Sequence, residues 1–493
     1  MKKIISAILV LVLAVSFISV LTACTPGGKP DFEIPAGGYD GSAVTIQFYS
    51  SMGQGYDAIL NDYIAEFNVL YPNITIEHNR IGDYDAVRNQ IKTELGNGQS
   101  PNLAFCYADH VALYNRSKAI VTLDDLIASK IEVKHADGAT EPLGLTADQK
   151  ADFIETYYEE GAAFGDGKMY MLPFAKSTEL MYYNKTSFTE WGLEVPDHWF
   201  ATDGKEGLNT SDHTSMEYAL AFIKSKDPKC VPLGYDTGAN WLITLFEQFE
   251  TGYTKATGDH YLFDNEENYK LLATLKRWYT NNWFTTKGIL GGNTYTSTYF
   301  TSVSSDEGKK SYISIGSSAG AAKQVPAKIG NEYPFEVEVT MIPQKEANTS
   351  IENSKVISQG PSICIFKSAN PQEVVASWLL VKFLTTNAEF EARYGMEAGY
   401  LPVVKSVMNI DDYADAIQNA NTSNRMSGMA AKLCLEYKDA FFVSPAFYGS
   451  SEARDQMDIL LNQICTNNLG TTQEQIMEGI KQRFKNALAE CNQ

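Results

Sequence analysis

Val44-Thr45-Ile46-Gln47-Phe48, Ile74-Thr75-Ile76-Glu77 and Leu103-Ala104-Phe105-Cys106-Tyr107 are three short apolar stretches separated by intervals that each hold a helix. The first two alternate with the period of a strand, and the third is a continuous run of the kind a sheet buries on both faces. Between the first two, Ile59, Leu60, Tyr63, Ile64 and Phe67 recur at helical spacing until Tyr71-Pro72-Asn73 stops them, and residues 83–95 form a second amphipathic stretch. Strand, helix, strand, helix, strand predicts the opening of an α/β layer.

Further along, the apolar runs 167–174 and 180–185 flank the polar patch Ala175-Lys176-Ser177-Thr178. The interval 196–296 reads as mostly helix and loop. Strands are expected at 311–315, opening onto Gly316-Ser317-Ser318-Ala319-Gly320, and at 336–342 and 362–366. Asn370-Pro371-Gln372-Glu373 places Asn at the N-cap, Pro at N1 and Glu at N3 of a helix whose core face is Val374, Val375, Trp378, Leu379 and Phe383. A last amphipathic helix is expected from Thr471, with Glu474 in the capping-box position and Ile476, Ile480, Phe484 and Leu488 buried. Roughly 450 residues after the N-terminal region call for two or three compact units.

The N-terminus carries Lys2-Lys3, an apolar run over 4–15 and Leu21-Thr22-Ala23-Cys24. That run is too short for a membrane span and fits an export signal over residues 1–23. Its end resembles a bacterial lipobox, which implies that Cys24 becomes the lipidated first residue. Residues 24–43, polar and rich in Gly and Pro, are then expected to be a flexible tether on the outer side of the cytoplasmic membrane. A net charge of -20, from 60 acidic and 40 basic side chains, argues against nucleic acid as a partner. Cys106, Cys230, Cys364, Cys434, Cys465 and Cys491 are widely spaced, and a disulfide among them stays open. His78, His110, His135, His198, His213 and His260 are isolated from the cysteines, so no zinc spacing occurs and no metal or cofactor is expected. The serine loop 316–320 lacks the Lys-Ser/Thr of a phosphate-binding P-loop, and no Gly-x-Ser-x-Gly elbow is present.

Four separated stretches together resemble the extracellular solute-binding proteins of bacterial ABC importers, in particular the group that binds sugars and glycerol phosphates. They are the strand and turn from Phe48 to Gly53; Gly-x-x-Tyr-x-Leu-Pro-Phe running from Gly167 to Lys185; the loop 315–320; and Gly360-Pro361-Ser362 through the Trp378 helix to Gly399-Tyr400-Leu401-Pro402-Val403. Phe447-Tyr448-Gly449-Ser450-Ser451-Glu452-Ala453-Arg454 adds to the match. The resemblance implies a two-lobed, type II periplasmic-binding-protein-like α/β fold with ligand clamped between the lobes. Lobe I is expected over 44–174 plus 342–385, and lobe II over 175–341 plus 386–493. Crossings are expected near 173–178, 341–343 and 386–400. It also implies a monomeric receptor, not an enzyme, that delivers ligand to an ABC permease.

A sugar presents apolar C–H faces ringed by hydroxyls, so aromatic platforms and fixed polar groups are the expected partners. Trp241, after the loop Asp236-Thr237-Gly238-Ala239-Asn240, suits a stacking platform, whereas Trp378 lies on a core stripe. Tyr49, Tyr84 and Tyr400 fall at strand ends or turns, where such folds face the cleft, though ordinary packing fits each equally well. The resemblance assigns ligand contact to Ser177, Ser317 and Gly360. Arg454 sits at a helix start that favours an anion. Relatives carry an acid directly after the tyrosine that ends the third strand; here Ala108 separates Tyr107 from Asp109, which weakens the assignment of Asp109 as hydroxyl acceptor. Within the class, glycerol 3-phosphate or its diesters rival a carbohydrate ligand. From other classes, a surface glycan hydrolase needs only two suitably placed carboxylates, and a binding protein serving a sensor needs only a different partner.

Overall fold

The computed structural model describes residues 31–51, 56–304, 308–418 and 425–492, so the expected export signal, the expected lipidation site Cys24 and most of the turn after Phe48 lie outside the described residues. The strands in chain order are β1 (Val44–Ser50), β2 (Ile74–Arg80), β3 (Leu103–Cys106), β4 (Glu132–Lys134), β5 (Thr140–Pro142), β6 (Met171–Pro173), β7 (Glu179–Asn184), β8 (Leu233–Tyr235), β9 (Phe284–Thr286), β10 (Ile313–Ser317), β11 (Val337–Met341), β12 (Val356–Ile357), β13 (Ser362–Ile365) and β14 (Phe441–Phe442). Ten of them build two mixed five-stranded sheets, ordered β2-β1-β3-β13-β6 and β11-β7-β10-β8-β9, and the other four pair as β4-β5 and β12-β14. Each five-stranded sheet is the centre of one lobe.

The first sheet is covered on both faces because its strands alternate between two cores. Leu103 and Phe105 point with Ile46 and Phe48 into one core, closed by the helices Asp57–Leu70 and Pro371–Thr385. Ala104 and Cys106 point the other way and meet Val87, Ile91, Val111 and Tyr114 of the helices Tyr84–Gly96 and Ala108–Asn115. Trp378 is fully buried, and its indole N–H donates to Leu143 O at 2.7 Å. Asn370 caps the helix Pro371–Thr385 by accepting from Gln372 N at 3.0 Å. The Glu373 carboxylate turns instead to Ser368 and Asn102, so no capping box forms. The last helix, Gln473–Cys491, starts one residue later than expected: Thr472 is its cap, and Gln475, not Glu474, closes the box.

β8 and β9 lie inside the interval expected to be mostly helix and loop, where no strand is expected. Each is three buried residues long and shows no alternation, so local pattern carries no strand signal.

Three segments cross between the lobes side by side. Phe174 N and Ala175 N donate to Pro361 O at 3.0 and 3.1 Å; Ser177 and Gln359 exchange backbone hydrogen bonds at 2.9 and 2.8 Å; Lys176 and Leu401 do the same at 2.8 and 2.6 Å. The second crossing is thus at Gln359–Pro361, later than the expected 342, because residues 343–357 still pack on the second lobe: Gln248 Nε2 donates to Pro343 O and Lys355 O. The helix Ala388–Ala398, expected in lobe II, packs on lobe I through Phe390, which lies edge-on to Tyr63. Under the crossings, Lys176 and Glu160 form a buried ion pair at 2.5 Å.

The expected flexible tether also needs correction. Residues 31–43 are laid along lobe I, with Phe32 and Ile34 half-buried against its core and Tyr39 buried edge-on to Tyr71. Gln372 clamps the segment, accepting from Asp40 N at 3.0 Å and donating to Gly38 O at 3.1 Å. Apolar side chains in a Gly/Pro-rich stretch gave it something to bury.

Among the described residues no helix is long and apolar enough to cross a membrane, and no group of His, Cys, Asp and Glu is arranged to hold a metal ion. All six described cysteines are buried and free.

Candidate ligand-binding cleft

Parallel strands deliver the chain to the cleft at their C-terminal ends. β2 leads into Asp83, which caps the helix Tyr84–Gly96 by accepting from Ala86 N at 2.9 Å and so fixes Tyr84 at the helix start. β3 leads into Tyr107 and, two residues on in the first turn of the helix Ala108–Asn115, Asp109. The Tyr84 and Tyr107 rings pack 4.7 Å apart, and Tyr84 meets the Tyr400 hydroxyl at 3.2 Å. Tyr400 in turn stacks on Tyr394 at 5.8 Å. Burial pushes all these phenols up, so they remain neutral hydrogen-bonding groups.

The second lobe contributes the helices Gly238–Gln248 and Ser450–Thr466. Arg454, in the first turns of the latter, lies 6.0 Å from the Tyr107 ring centre across the lobes. Its guanidinium donates to Asn240 Oδ1 and reaches Gln359 Oε1 at 3.5 Å. Asn240 Nδ2 donates to Glu179 Oε1 at 2.9 Å, and Tyr235 donates to the other Glu179 oxygen. Burial pushes the Glu179 carboxyl up to about 7, against the pull of these donors and of Arg454. A polar chain thus runs from the core of lobe II to the cleft surface.

Tyr107, Asp109, Glu160, Tyr253, Gln359 and Arg454 enclose a cavity of ≈40 Å³ between the lobes. One Asp109 oxygen, Oδ2, is buried without a hydrogen-bond partner among the described residues. A buried carboxylate oxygen left unpaired is costly, and it is poised to accept from a hydroxyl. The volume suits groups the size of water, so a sugar ring reaching Asp109 needs the walls to move apart. A separate bridge joins the lobes: Arg88 donates to Ser451 Oγ at 2.9 Å and pairs with Asp455 at 3.0 Å.

The structure therefore brings Tyr84, Asp109, Tyr400 and Arg454 together, and places the other candidates elsewhere. Trp241 is wholly buried in the lobe II core, stacked on Tyr235 at 4.7 Å and edge-on to Phe284, because its helix buries nearly every face. Tyr49 points under the helix Tyr84–Gly96, where its hydroxyl donates to Glu94 at 3.0 Å. Ser177 is buried in the crossing ladder. Gly360 packs so tightly there that a Cβ would stand 2.4 Å from Ala175 O, and its φ of 93° suits glycine. Ser317 caps its own turn by accepting from Ala319 N at 3.2 Å, and it is Ala319, not Ser317, that stands against Gly399. Sequence reasoning missed Asn240, Gln359, Glu160, Tyr253 and Arg88. Asn240 and Gln359 adjoin residues it singled out; the other three carry no local signal.

A family model described as bacterial extracellular solute-binding protein matches residues 62–421. The chain belongs to that family, whose members are binding proteins. A multiple sugar-binding protein of Streptococcus mutans serotype c is 24% identical over 156 residues, so the match spans 32% of this chain and 31% of that relative. Among solved structures, the ABC substrate-binding protein Lmo0181 of Listeria monocytogenes in complex with cycloalternan superposes with a TM-score of 0.65 at 14% identity, covering 92% of this chain and 98% of that one. UgpB of Mycobacterium tuberculosis in complex with glycerophosphocholine does so at 0.63 and 16%, covering 91% and 99%. These likenesses establish the two-lobed fold.

Proposed function

We propose that this chain is a receptor that captures a carbohydrate outside the cell between its lobes and hands it to an ABC permease, held at the membrane by a lipid on Cys24. The observation that carries the ligand class is the pairing of tyrosine faces with an unpaired buried acceptor: Tyr84, Tyr107 and Tyr400 offer flat apolar surfaces, and Asp109 Oδ2 awaits a hydroxyl. The sugar-binding relative in Streptococcus mutans and the oligosaccharide complex of the Listeria protein favour the same reading. Closure around ligand would exclude water and present the permease with one conformation. No step of bond cleavage is assigned to the carboxylates: Glu160 is held by Lys176, and Glu179 is sequestered behind Asn240.

A glycerol phosphate diester is the second reading. Arg454 favours it, since this cleft guanidinium donates to amide oxygens and, among the described residues, forms no ion pair with a carboxylate. The test is a thermal-shift screen of the chain from residue 29 onward against mono- and oligosaccharides and glycerol phosphates, with Arg454→Ala beside it. Ligand at 100 times its dissociation constant adds ~2.7 kcal/mol of folded stability. An oligosaccharide hit, retained in Arg454→Ala and weakened in Asp109→Asn without product formation, supports the carbohydrate receptor. A phosphate-ester hit lost in Arg454→Ala supports the second reading, and consumption of a glycan sinks both.

A further inference from the structure

We propose that the cleft is blind at its Gln359 end and open at its Tyr400 end, so that the receptor holds the terminus of a linear glycan. The last sugar's hydroxymethyl arm enters the cavity beside Asp109, and the rest of the chain leaves past Tyr295. The inference rests on the carbohydrate reading proposed above. The crossings define the two ends. Ser177 pairs with Gln359 and Lys176 with Leu401, so the segment 175–178 lies between the other two crossings and the cleft floor has a Gln359 flank and a Tyr400 flank.

The lobes are tied together along the Gln359 flank. Residues 443–449, which follow β14, reach over to lobe I: Ala446 N donates to Ala163 O at 3.2 Å, and Ala446 is buried in the lobe I core that holds Cys106 and Tyr114. Arg116, which ends the helix Ala108–Asn115, donates to the Tyr448 hydroxyl and lies 4.6 Å from the centre of that ring. Arg88 reaches Ser451 and Asp455 on the same side, and a Cβ on Gly165 of lobe I would stand 3.4 Å from Ala256 of lobe II. The ≈40 Å³ cavity lies within this seam, walled by Ser444 and Tyr253 as well as by Asp109, Gln359 and Arg454. Ser444 Oγ, like Asp109 Oδ2, is buried without a hydrogen-bond partner among the described residues. A ligand hydroxyl can satisfy both, donating to the carboxylate and accepting from the serine, with the Arg454 guanidinium as a second donor. Such a volume takes roughly two or three water-sized groups, which admits a hydroxymethyl arm and excludes a continuing chain.

The Tyr400 flank has an open rim. Thr296 N and Oγ1 both donate to Asp236 Oδ1, at 2.7 and 2.8 Å, which holds Tyr295 at the C-terminal end of β8. From there β10 and its turn lead to Ala319, which stands against Gly399 next to Tyr400. Tyr295 is nevertheless 56% exposed, with Lys287 Nζ 4.3 Å from its ring centre, and a Cβ on the nearby Gly291 or Gly292 would meet nothing within 4 Å. An aromatic ring held in place yet uncovered offers its flat face to a further sugar at the mouth of the cleft, the platform that the buried Trp241 does not supply.

The test is titration calorimetry of the full chain in a sugar-free detergent with maltotetraose, isomaltotetraose, cellotetraose and mannotetraose. Each is used unblocked, as the 2-naphthyl glycoside at the reducing end, with a benzylidene bridge across O4 and O6 at the other end, and with both blocks; a cyclodextrin serves as the glycan without ends. For the sugar that binds, one block should leave the dissociation constant within about threefold and the other should weaken binding about a hundredfold or more, because the buried Asp109 and Ser444 oxygens are then left unpaired. The doubly blocked sugar and the cyclodextrin should bind no better than the weaker singly blocked form. Tolerance of both blocks, of neither, or of the cyclodextrin overturns the one-ended cleft and leaves the receptor reading intact. Ser444→Trp fills the cavity and should weaken the unblocked sugar about a hundredfold; full affinity in the folded variant overturns the placing of the blind end, and the blocked sugars decide the matter on the unsubstituted chain. Absence of binding by every form overturns the carbohydrate reading and this inference with it.

Discussion

Glu179→Gln tests how the cleft network is held from below. Glu179 is fully buried, accepts from Tyr235 and Asn240, and faces Arg454 through Asn240 and the nearby carboxyl of Asp236. Its carboxyl titrates near 7 rather than the ordinary 4.5. Between those values the native state keeps a proton that the unfolded chain has released. Stability must therefore fall as pH rises through this window: the penalty is absent below the unfolded value and complete above the folded one. The gap converts to about 3 kcal/mol. Glutamine keeps an acceptor for Asn240 and gains a donor for the Tyr235 oxygen, mimicking the protonated acid at every pH. Urea unfolding at a series of pH values should show the variant gaining on the parent by ~2 to 3 kcal/mol between about pH 5 and pH 8. A difference that stays constant across that range would refute a buried, proton-sharing Glu179.

Arg88→Ala removes the bridge to Ser451 and Asp455 that joins the lobes, and should shift the protein toward an open form. Small-angle scattering should report a larger radius of gyration, and ligand affinity should weaken roughly tenfold, or ~1.4 kcal/mol; unchanged scattering sinks the idea. Trp241→Ala should cost ~3 to 5 kcal/mol of folding stability as a core truncation. Tyr400→Phe, which loses one hydroxyl contact with Tyr84, should cost ~1 kcal/mol and act mainly on ligand binding; a stable Trp241→Ala protein that fails to bind would restore Trp241 as a platform. Gly360→Ala drives a Cβ into Ala175 O and Lys176 Cα and should destabilise by on the order of 3 kcal/mol, read as a lowered melting temperature.

Much of lobe I was legible in the sequence because its elements announce themselves locally. Val44 to Phe48 alternates, the helix carrying Phe67 repeats at helical spacing, and Asn370-Pro371 marks a helix start. Tyr84 and Tyr400 were identified as cleft candidates from their places at turns, and the structure joins them by a hydroxyl contact. Trp241 shows the limit. Its position after a Gly-containing loop suits a platform, yet whether a residue at a helix start is covered depends on what packs over it, here Tyr235 at the end of the preceding strand and Trp199 and Phe284 from elements farther along the chain on either side.

By itself, the sequence determined the α/β alternation, because it is written in the periodicity of neighbouring residues. Only the tertiary structure decided where the chain crosses between lobes, that Arg454 meets Asn240, Gln359 and Tyr107, and that residues 31–43 pack along lobe I. Those outcomes depend on pairing groups hundreds of residues apart, such as Asp40 with Gln372, and no periodicity along the chain encodes a contact whose partner is supplied by folding.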